Sequence, residues 1–291
     1  MKKHIQLACT LVCALAMFLV STQSSAQIKM PAASPAATVK QAVGLGEVTV
    51  EYSRPSMKGR KIMGDIVPFN GKLWRTGANA STKITFSEDV MLEGNKVPAG
   101  QYALYTIPGE KEWTVIIHKN LKHWGDGGEE YKQEEDLVRF KVNAKDLDDK
   151  VETFTIGFND LTNNGATLQI MWDKTLIPVK ITTDVDAKVM AQIQEKVING
   201  TDVKPAMYAA AANYYSETNK DLKQALAWMK KANEKDPLFY NMHYQAKMQL
   251  KLKDYKGAKA SAEKSLELSK QAKNADYVAM NEKLLAEIKN K

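Results

Sequence analysis

Cysteine is almost absent from this sequence of 291 residues, and its two copies, Cys9 and Cys13, lie close to the N-terminus. Beyond Cys13 the chain therefore has no thiol nucleophile, no disulfide and no cysteine ligand for a metal ion. Disulfides are not needed at this length, because the chain can bury a sizeable apolar core. After Val20 no apolar run reaches the roughly 20 residues that a membrane-spanning helix needs.

Long basic runs and known catalytic motifs are also missing. The net charge of +7 comes from 41 basic and 34 acidic residues that are spread along the chain, so a nucleic-acid partner is not expected. The sequence contains no G-x-S-x-G, P-loop or H-E-x-x-H pattern. These absences favour binding or structural functions over an enzyme with a familiar active site.

The N-terminus has the pattern of an export signal. Two lysines follow Met1, an apolar run extends from Ile5 to Val20, and Ser24-Ser25-Ala26 fits a small-residue cleavage site. This order predicts a signal peptide over residues 1–26 and a periplasmic or secreted protein. An uncleaved membrane anchor is the alternative, although the run is shorter than the roughly 20 residues of a spanning helix. Residues 27–37 are predicted to be a leader.

A period of two in hydrophobicity dominates residues 38–183. Val48, Val50 and Tyr52 alternate with polar residues, and segments such as Leu168–Trp172 and Val179–Ile181 repeat the pattern. Turn residues, including Asn163-Asn164-Gly165, separate these segments. Alternation of this kind indicates half-buried strands. We therefore predict about ten short strands in an all-β antiparallel sandwich or jelly-roll-like domain.

Residues 184–291 change to a helical period. Val185, Val189 and Ile193 recur at helical spacing, and Asp221–Ala225 aligns with Asp254–Ala258 after a shift of 33 residues. From about residue 206 onward this part resembles the tetratricopeptide family. The sequence therefore predicts an all-α helical-repeat domain, which suggests a protein partner.

Basic and glycine residues are concentrated between Tyr52 and Lys83. Guanidinium groups bind carboxylates and phosphates through paired hydrogen bonds, and an indole can stack on a sugar. One interpretation is a site for a polar or anionic ligand such as an envelope glycan. The other interpretation is that Trp74 fills the core while the charged side chains line a solvated loop or form ion pairs. The candidate ligand residues are Arg54, Arg60, Trp74, Arg75 and Asn79.

Two histidines, His118 and His123, precede several acidic residues. A zinc site would need imidazoles and carboxylates at fixed distances, but the five-residue spacing matches no zinc motif. We therefore predict exposed loop histidines, no metal ligand and no cofactor. Adjacent acids such as Glu134-Glu135 are predicted to be solvated charges in polar turns.

Several short motifs resemble those of a known family. The sequence has Tyr-Ser-Arg-Pro-Ser at 52–56, Trp-Arg-Thr-Gly-Ala-Asn at 74–79, Pro-Ala-Gly-Gln-Tyr-Ala-Leu at 98–104 and Trp-Gly at 124–125. Over residues 30–183 it resembles the exported bacterial proteins catalogued as domain of unknown function 2911. The resemblance implies an exported β-rich domain, often joined to helical repeats, and it implies no activity or cofactor. Ala80 stands where the family has an acid, so a carboxylate partner for Arg75 must come from elsewhere.

Three functions remain open. The first is an exported, non-enzymatic binding or scaffold protein, whose β domain binds a polar or anionic ligand and whose helices contact a protein. The second is an envelope hydrolase with its active site near Arg54, Arg75 and His118, whose acid and base are residues such as Asp65, His118 or Asp126. The third is a purely structural role in assembly.

Overall fold

A computed structural model describes residues 30–69 and 71–291 of the chain. The predicted signal peptide, residues 1–26, and the start of the predicted leader lie outside the described residues. The chain divides into two compact units, with Gly165–Ile181 in the first and Thr182–Lys291 in the second. We call the first, which also includes the described residues before Leu161 and Leu161 itself, the β unit, and the second the helical unit. The predicted all-β and all-α fold classes are confirmed.

The β unit contains two antiparallel sheets. The first sheet has six strands in the order β1-β2-β3-β6-β7-β8, and the second has four in the order β5-β4-β10-β9. The strands are β1 (Ala36–Val43), β2 (Gly46–Ser53), β3 (Thr82–Phe86), β4 (Val90–Leu92), β5 (Asn95–Val97), β6 (Gly100–Ile107), β7 (Glu112–His118), β8 (Asp136–Asn143), β9 (Lys145–Thr162) and β10 (Gly165–Thr182).

The last two strands differ from the prediction of short strands. β9 and β10 are each 18 residues long and are joined at Asn163-Asn164, where the turn was predicted. Leu168–Trp172 and Val179–Ile181, which the alternation pattern showed as separate segments, belong to one continuous strand. The polar residues between them, Asp173 and Lys174, gave the appearance of a break, but they lie within the same strand.

Both faces of the central strands β6 and β7 are covered, as their continuous apolar sequences predict. On one face, Leu104 and Ile117 belong to the main core of the unit. On the opposite face, Tyr105 and Ile116 form a second cluster, packed against residues of the loop that joins β7 to β8. This loop, residues 119–135, therefore covers the outer face of the sheet and creates a buried polar region beneath it.

The helical unit consists of six α-helices, with a π-helical turn over Gln194–Ile198 after the first. The sequence repeat marks two equivalent helix starts: Asp221 accepts hydrogen bonds from the backbone N–H of Lys223 and Gln224, and Asp254 accepts one from Gly257. Among residues 30–69 and 71–291, no helix has the length and apolar character needed to span a bilayer. The helices are α1 (Val185–Ile193), α2 (Pro205–Glu217), α3 (Leu222–Ala232), α4 (Phe239–Lys251), α5 (Tyr255–Gln271) and α6 (Ala275–Lys289).

A buried histidine in α4 predicts how the stability of the helical unit depends on pH. Burial lowers the pKa of His243, the hydrogen bond to Asn281 opposes this shift, and the nearby Lys247 adds to it. Lys283 and Glu287 of α6 border the same cleft. Because the folded state holds the neutral imidazole, the unfolded chain binds a proton first as the pH falls below about 6.5.

We therefore expect the free energy of unfolding of the helical unit to decrease as the pH falls from about 7 to about 5. In the variant His243→Gln this part of the pH dependence should disappear, while the part due to carboxylates remains. Urea unfolding followed by helical circular dichroism, at several pH values and for both proteins, measures the difference. Equal pH dependence in the two proteins would show that His243 does not contribute.

Candidate functional site

The loop between β7 and β8 brings two histidines and a glutamate together under its cover. His118 is the last residue of β7, His123 lies in the loop, and Glu135 ends a short 3₁₀ turn before β8. One potential ligand atom from each of these residues lies within 4.8 Å of the other two. We refer to His118, His123 and Glu135 as the histidine cluster.

His118 is held in one orientation by a carboxylate. Its side chain is fully buried, at 0% exposure, and its Nδ1 lies 2.7 Å from Oδ1 of Asp136. Since an ionised carboxylate only accepts hydrogen bonds, Nδ1 carries a proton, and the neutral ring then has its lone pair on Nε2. Nε2 has no hydrogen-bond partner among the described residues, although Oε2 of Glu135 lies 3.5 Å away. This is the arrangement that orients a histidine for metal binding.

Asp136 is itself fixed by two further side chains. The Tyr131 hydroxyl donates to its two oxygens, at 2.7 and 3.0 Å, and Nε of Arg139 donates to Oδ2. Arg139 also donates to the Tyr131 oxygen from Nη2 at 2.7 Å. Burial, together with the hydrogen bond to Asp136, raises the pKa of Tyr131, so this phenol stays protonated and donates. The network fixes the carboxylate that positions His118.

His123 is buried because the loop folds over it. Its side chain is 3% exposed, its Nδ1 lies 3.4 Å from the Tyr105 hydroxyl, and its Nε2 has no hydrogen-bond partner within residues 30–69 and 71–291. Gly127 passes very close: a Cβ atom at this position would lie 2.9 Å from Nδ1 of His123. The prediction that both histidines are exposed is therefore wrong, because the loop and the sheet enclose the two rings.

Glu135 completes the histidine cluster on its more exposed side. Its backbone carbonyl accepts from the N–H of Lys119 at 3.0 Å, and its Oε2 accepts from Nδ2 of Asn120 at 3.1 Å. The side chain is 39% exposed, so solvent reaches the cluster from this direction. The carboxylate predicted to be a solvated turn charge thus faces two buried imidazoles.

The donor set has the chemistry of a transition-metal site. Imidazole nitrogens and a carboxylate oxygen bind zinc at about 2.0–2.2 Å, and zinc sites with three protein ligands leave a fourth position open. Ligands of a tetrahedral zinc ion lie about 3.4 Å apart, so the separation of 3.5 Å between His118 and Glu135 already fits. The wider separations, up to 4.8 Å, require side-chain rotation.

The close approach at Gly127 gives a prediction for this cluster. In the variant Gly127→Ala the added methyl would overlap the His123 ring, and the left-handed backbone, with φ of 84°, disfavours alanine. We expect zinc affinity to fall at least about tenfold, equivalent to about 1.4 kcal/mol. Gly128→Ala is the control, because a Cβ there meets nothing within 4 Å while the φ of 48° imposes similar backbone strain. Equal zinc affinities in the two variants would contradict the role of the Gly127 contact.

Trp74, a candidate ligand residue, lies in the core of the β unit. Its side chain is 5% exposed and contacts the rings of Trp113, Phe154 and Trp172, with centroid separations of 5.9, 5.3 and 6.3 Å. Its backbone pairs with Thr106, where the N–H donates to the carbonyl at 2.7 Å. The geometry corresponds to the core-filling interpretation of this residue.

Three other candidate ligand residues make hydrogen bonds within the protein. Arg54 donates to the Phe154 carbonyl and the Thr155 hydroxyl, at 3.0 and 2.7 Å. The guanidinium of Arg60 donates to backbone carbonyls of its own turn. Asn79 donates from Nδ2 to the Ser34 carbonyl and the Ser53 hydroxyl. The predicted ion pairs with acids are not formed by these arginines within the described chain, and ligand binding by these residues stays a prediction.

Arg75 differs from the other arginines by its place next to the loop. Its Nη1 donates to the Asn79 carbonyl at 3.1 Å, and a Cβ at Gly125 would lie 3.1 Å from the same nitrogen. The next residue toward His123 is Trp124, which is 74% exposed and forms an isolated bridge to Ala80. The structure therefore places an arginine and an exposed indole beside the loop of the histidine cluster.

The acids suggested for a hydrolase are exposed. Asp65 lies in a solvent-exposed turn, and Asp126 accepts from the backbone N–H of Gly128 at 3.2 Å.

Sequence reasoning missed Asp136 and Glu135, which do surround His118. The available signal was the strand prediction itself: β7 ends at His118 and β8 begins at Asp136, and neighbouring antiparallel strands place these residues opposite each other.

The comparisons with known proteins agree with the sequence motifs. The family described as "Protein of unknown function (DUF2911)" matches residues 34–181, which include the whole histidine cluster. Neither the curated proteins nor the solved structures contain a significant match to the chain. The matched region is just over half of the 291 residues, so the chain belongs to the DUF2911 family.

Proposed function

We propose that this chain is a binding protein whose β unit holds a divalent transition-metal ion, with zinc as the best fit. The supporting observation is that one ligand atom from each of His118, His123 and Glu135 lies within 4.8 Å of the other two, while Nε2 of both buried imidazoles lacks a hydrogen-bond partner among the described residues. The Asp136 carboxylate accepts from Nδ1 of His118, so the neutral form of this ring offers its lone pair on Nε2.

The energetics of burial favour a metal ion over a purely structural role for these residues. Each buried polar atom without a partner costs about 1–3 kcal/mol, and native proteins contain few of them. Two such atoms on neighbouring imidazole rings, whose centroids lie 5.3 Å apart, would concentrate this cost at one place. A bound cation uses both lone pairs and the carboxylate charge, which removes the cost.

The ligand types argue for zinc or a similar ion over calcium or magnesium. Calcium and magnesium prefer six or more oxygen ligands, whereas imidazole nitrogen suits zinc, copper, iron and nickel. With three protein ligands a zinc ion keeps a position for water or another molecule. The partial exposure of Glu135 supports access from solvent to such a position.

The remaining parts of the function are proposed on sequence grounds. Residues 1–26 have the pattern of a cleaved signal, which supports export to the periplasm or beyond. The helical unit, with its tetratricopeptide-like repeat, supports contact with a protein partner. The hydrolase and assembly alternatives have no separate observation in their favour among the described residues.

Equilibrium dialysis of the purified protein against zinc tests the metal site. We expect one tightly bound zinc ion per chain in the unchanged protein and loss of that ion in His123→Gln. The matched control is His243→Gln, because His243 is also buried but its Nδ1 is satisfied by Asn281 at 2.8 Å. A stoichiometry that is unchanged in His123→Gln, or zero in the unchanged protein, would refute the proposal.

A further inference from the structure

We propose that the metal site is one part of a larger site for an anionic saccharide, formed together with Trp124 and Arg75. The inference rests on the proposed metal function and names the kind of molecule that reaches the open coordination position. Three observations support it, namely the exposure of Trp124, the approach of the Arg75 guanidinium to Gly125, and the position of Trp124 and Gly125 directly after His123 in the same loop.

Trp124 is the one tryptophan of the five in the chain that faces solvent. Its side chain is 74% exposed, whereas the other four are between 2% and 5% exposed. The residue is held in place by its backbone: its carbonyl accepts from the N–H of Gly127 at 3.2 Å, and it bridges to Ala80. A large indole on a fixed backbone, adjacent in sequence to His123, offers a flat apolar face for a sugar ring.

Arg75 supplies a positive charge with donors available. Among the described residues, the acceptor that its side chain reaches is the Asn79 carbonyl, which binds Nη1. The guanidinium lies against Gly125, immediately after Trp124, where a Cβ would come within 3.1 Å of Nη1. The remaining donors match the paired oxygens of a carboxylate or phosphate group.

The three features together select a class of ligand. A bound metal ion with an open position would bind a carboxylate, phosphate or hydroxyl oxygen. The guanidinium would donate hydrogen bonds to the anionic group, and the indole face would stack on a pyranose ring. A neutral saccharide would leave Arg75 without an anion, and a small aliphatic acid would leave Trp124 without a ring. An anionic saccharide, either a uronate or a sugar phosphate, uses all three.

The test uses the zinc-loaded full chain and three probes: trigalacturonate, glucose 6-phosphate and the neutral galactotriose. Binding is measured by calorimetry and by protection of tryptophan fluorescence from acrylamide, which reports on Trp124 because the other tryptophans are buried. We expect at least one anionic probe to bind at least about tenfold more tightly than galactotriose. Which anionic probe binds distinguishes the carboxylate from the phosphate form.

Variants separate this inference from the metal site. Trp124→Ala and Arg75→Gln should each weaken binding of the anionic probe at least about tenfold and leave zinc affinity unchanged. Lys132→Gln, at an exposed lysine of the same loop, is the control and should bind zinc and the anionic probe as tightly as the unchanged protein. Zinc binding without binding of either anionic probe up to about 10 mM overturns this inference and leaves the metal site intact. Absence of zinc binding in the unchanged protein overturns both.

Discussion

Replacing Trp74 by alanine is expected to lower the free energy of unfolding of the β unit by about 3–5 kcal/mol. The indole is 5% exposed and contacts Trp113, Phe154 and Trp172, so its removal leaves a cavity among rings of both sheets. Urea unfolding followed by tryptophan fluorescence measures the change, because four of the five tryptophans lie in the β unit.

Trp124→Ala is the matched control for this experiment. Its indole is 74% exposed, so we expect a change within about 0.5 kcal/mol. The pair of variants distinguishes a core residue from a surface residue of the same type. If Trp74→Ala had nearly unchanged stability and lost binding of an anionic probe, Trp74 would be a ligand residue and the core interpretation would be wrong.

Asp136→Asn is expected to weaken zinc binding about 10–100-fold although Asp136 is not one of the three proposed ligands. The carboxylate holds the proton of His118 on Nδ1 through a 2.7 Å contact. An asparagine amide can rotate to present its NH₂ group to the ring, which would favour the tautomer that carries the proton on Nε2. Competition with a zinc-binding dye measures the affinity.

Two measurements keep this prediction specific. Asp126→Asn changes an exposed acid of the same loop and should leave the zinc affinity within about twofold of the unchanged protein. Asp136→Asn should also lower stability in the presence of a chelator, because Arg139 and Tyr131 lose their charged partner. Unaltered zinc affinity in folded Asp136→Asn protein would show that His118 needs no orienting carboxylate.

Most of the fold follows from local patterns in the sequence. Alternation such as Val48, Val50 and Tyr52 predicts strands, and all three side chains are buried on one face of β2. The aspartates of the 33-residue repeat correspond to helix starts at α3 and α5. The long β9–β10 hairpin was harder to predict, because exposed polar residues within a strand look the same as a turn in sequence.

The histidine cluster could not be predicted from spacing, because its members meet through tertiary structure. His118 and Asp136 belong to neighbouring strands and are separated by a loop of 17 residues. His123 reaches the same place only because the loop folds back over the sheet, with Gly127 leaving room for the ring. Neither feature produces a periodic pattern, so a metal motif was not visible.

The basic segment illustrates the opposite case. The density of arginine between Tyr52 and Lys83 suggested a single site, but Arg54 and Arg60 bind carbonyl and hydroxyl oxygens of the protein. Every residue has a backbone carbonyl, so the sequence does not show which carbonyl an arginine binds. An acidic side chain, in contrast, can be seen in the sequence as a possible partner. Of these three arginines, Arg75 is the one that lies against Gly125, in the loop of the histidine cluster. Its position in the sequence did not indicate this contact.

X-ray absorption spectroscopy of the zinc-loaded protein tests the central claim most directly, because it reports the atoms bound to the metal. We expect a low coordination number, with two imidazole nitrogens at about 2.0–2.1 Å and carboxylate or water oxygens at about 2.0–2.2 Å. The imidazole contribution should halve in His123→Gln. A spectrum with oxygen ligands alone, or one unchanged by that substitution, would contradict the account.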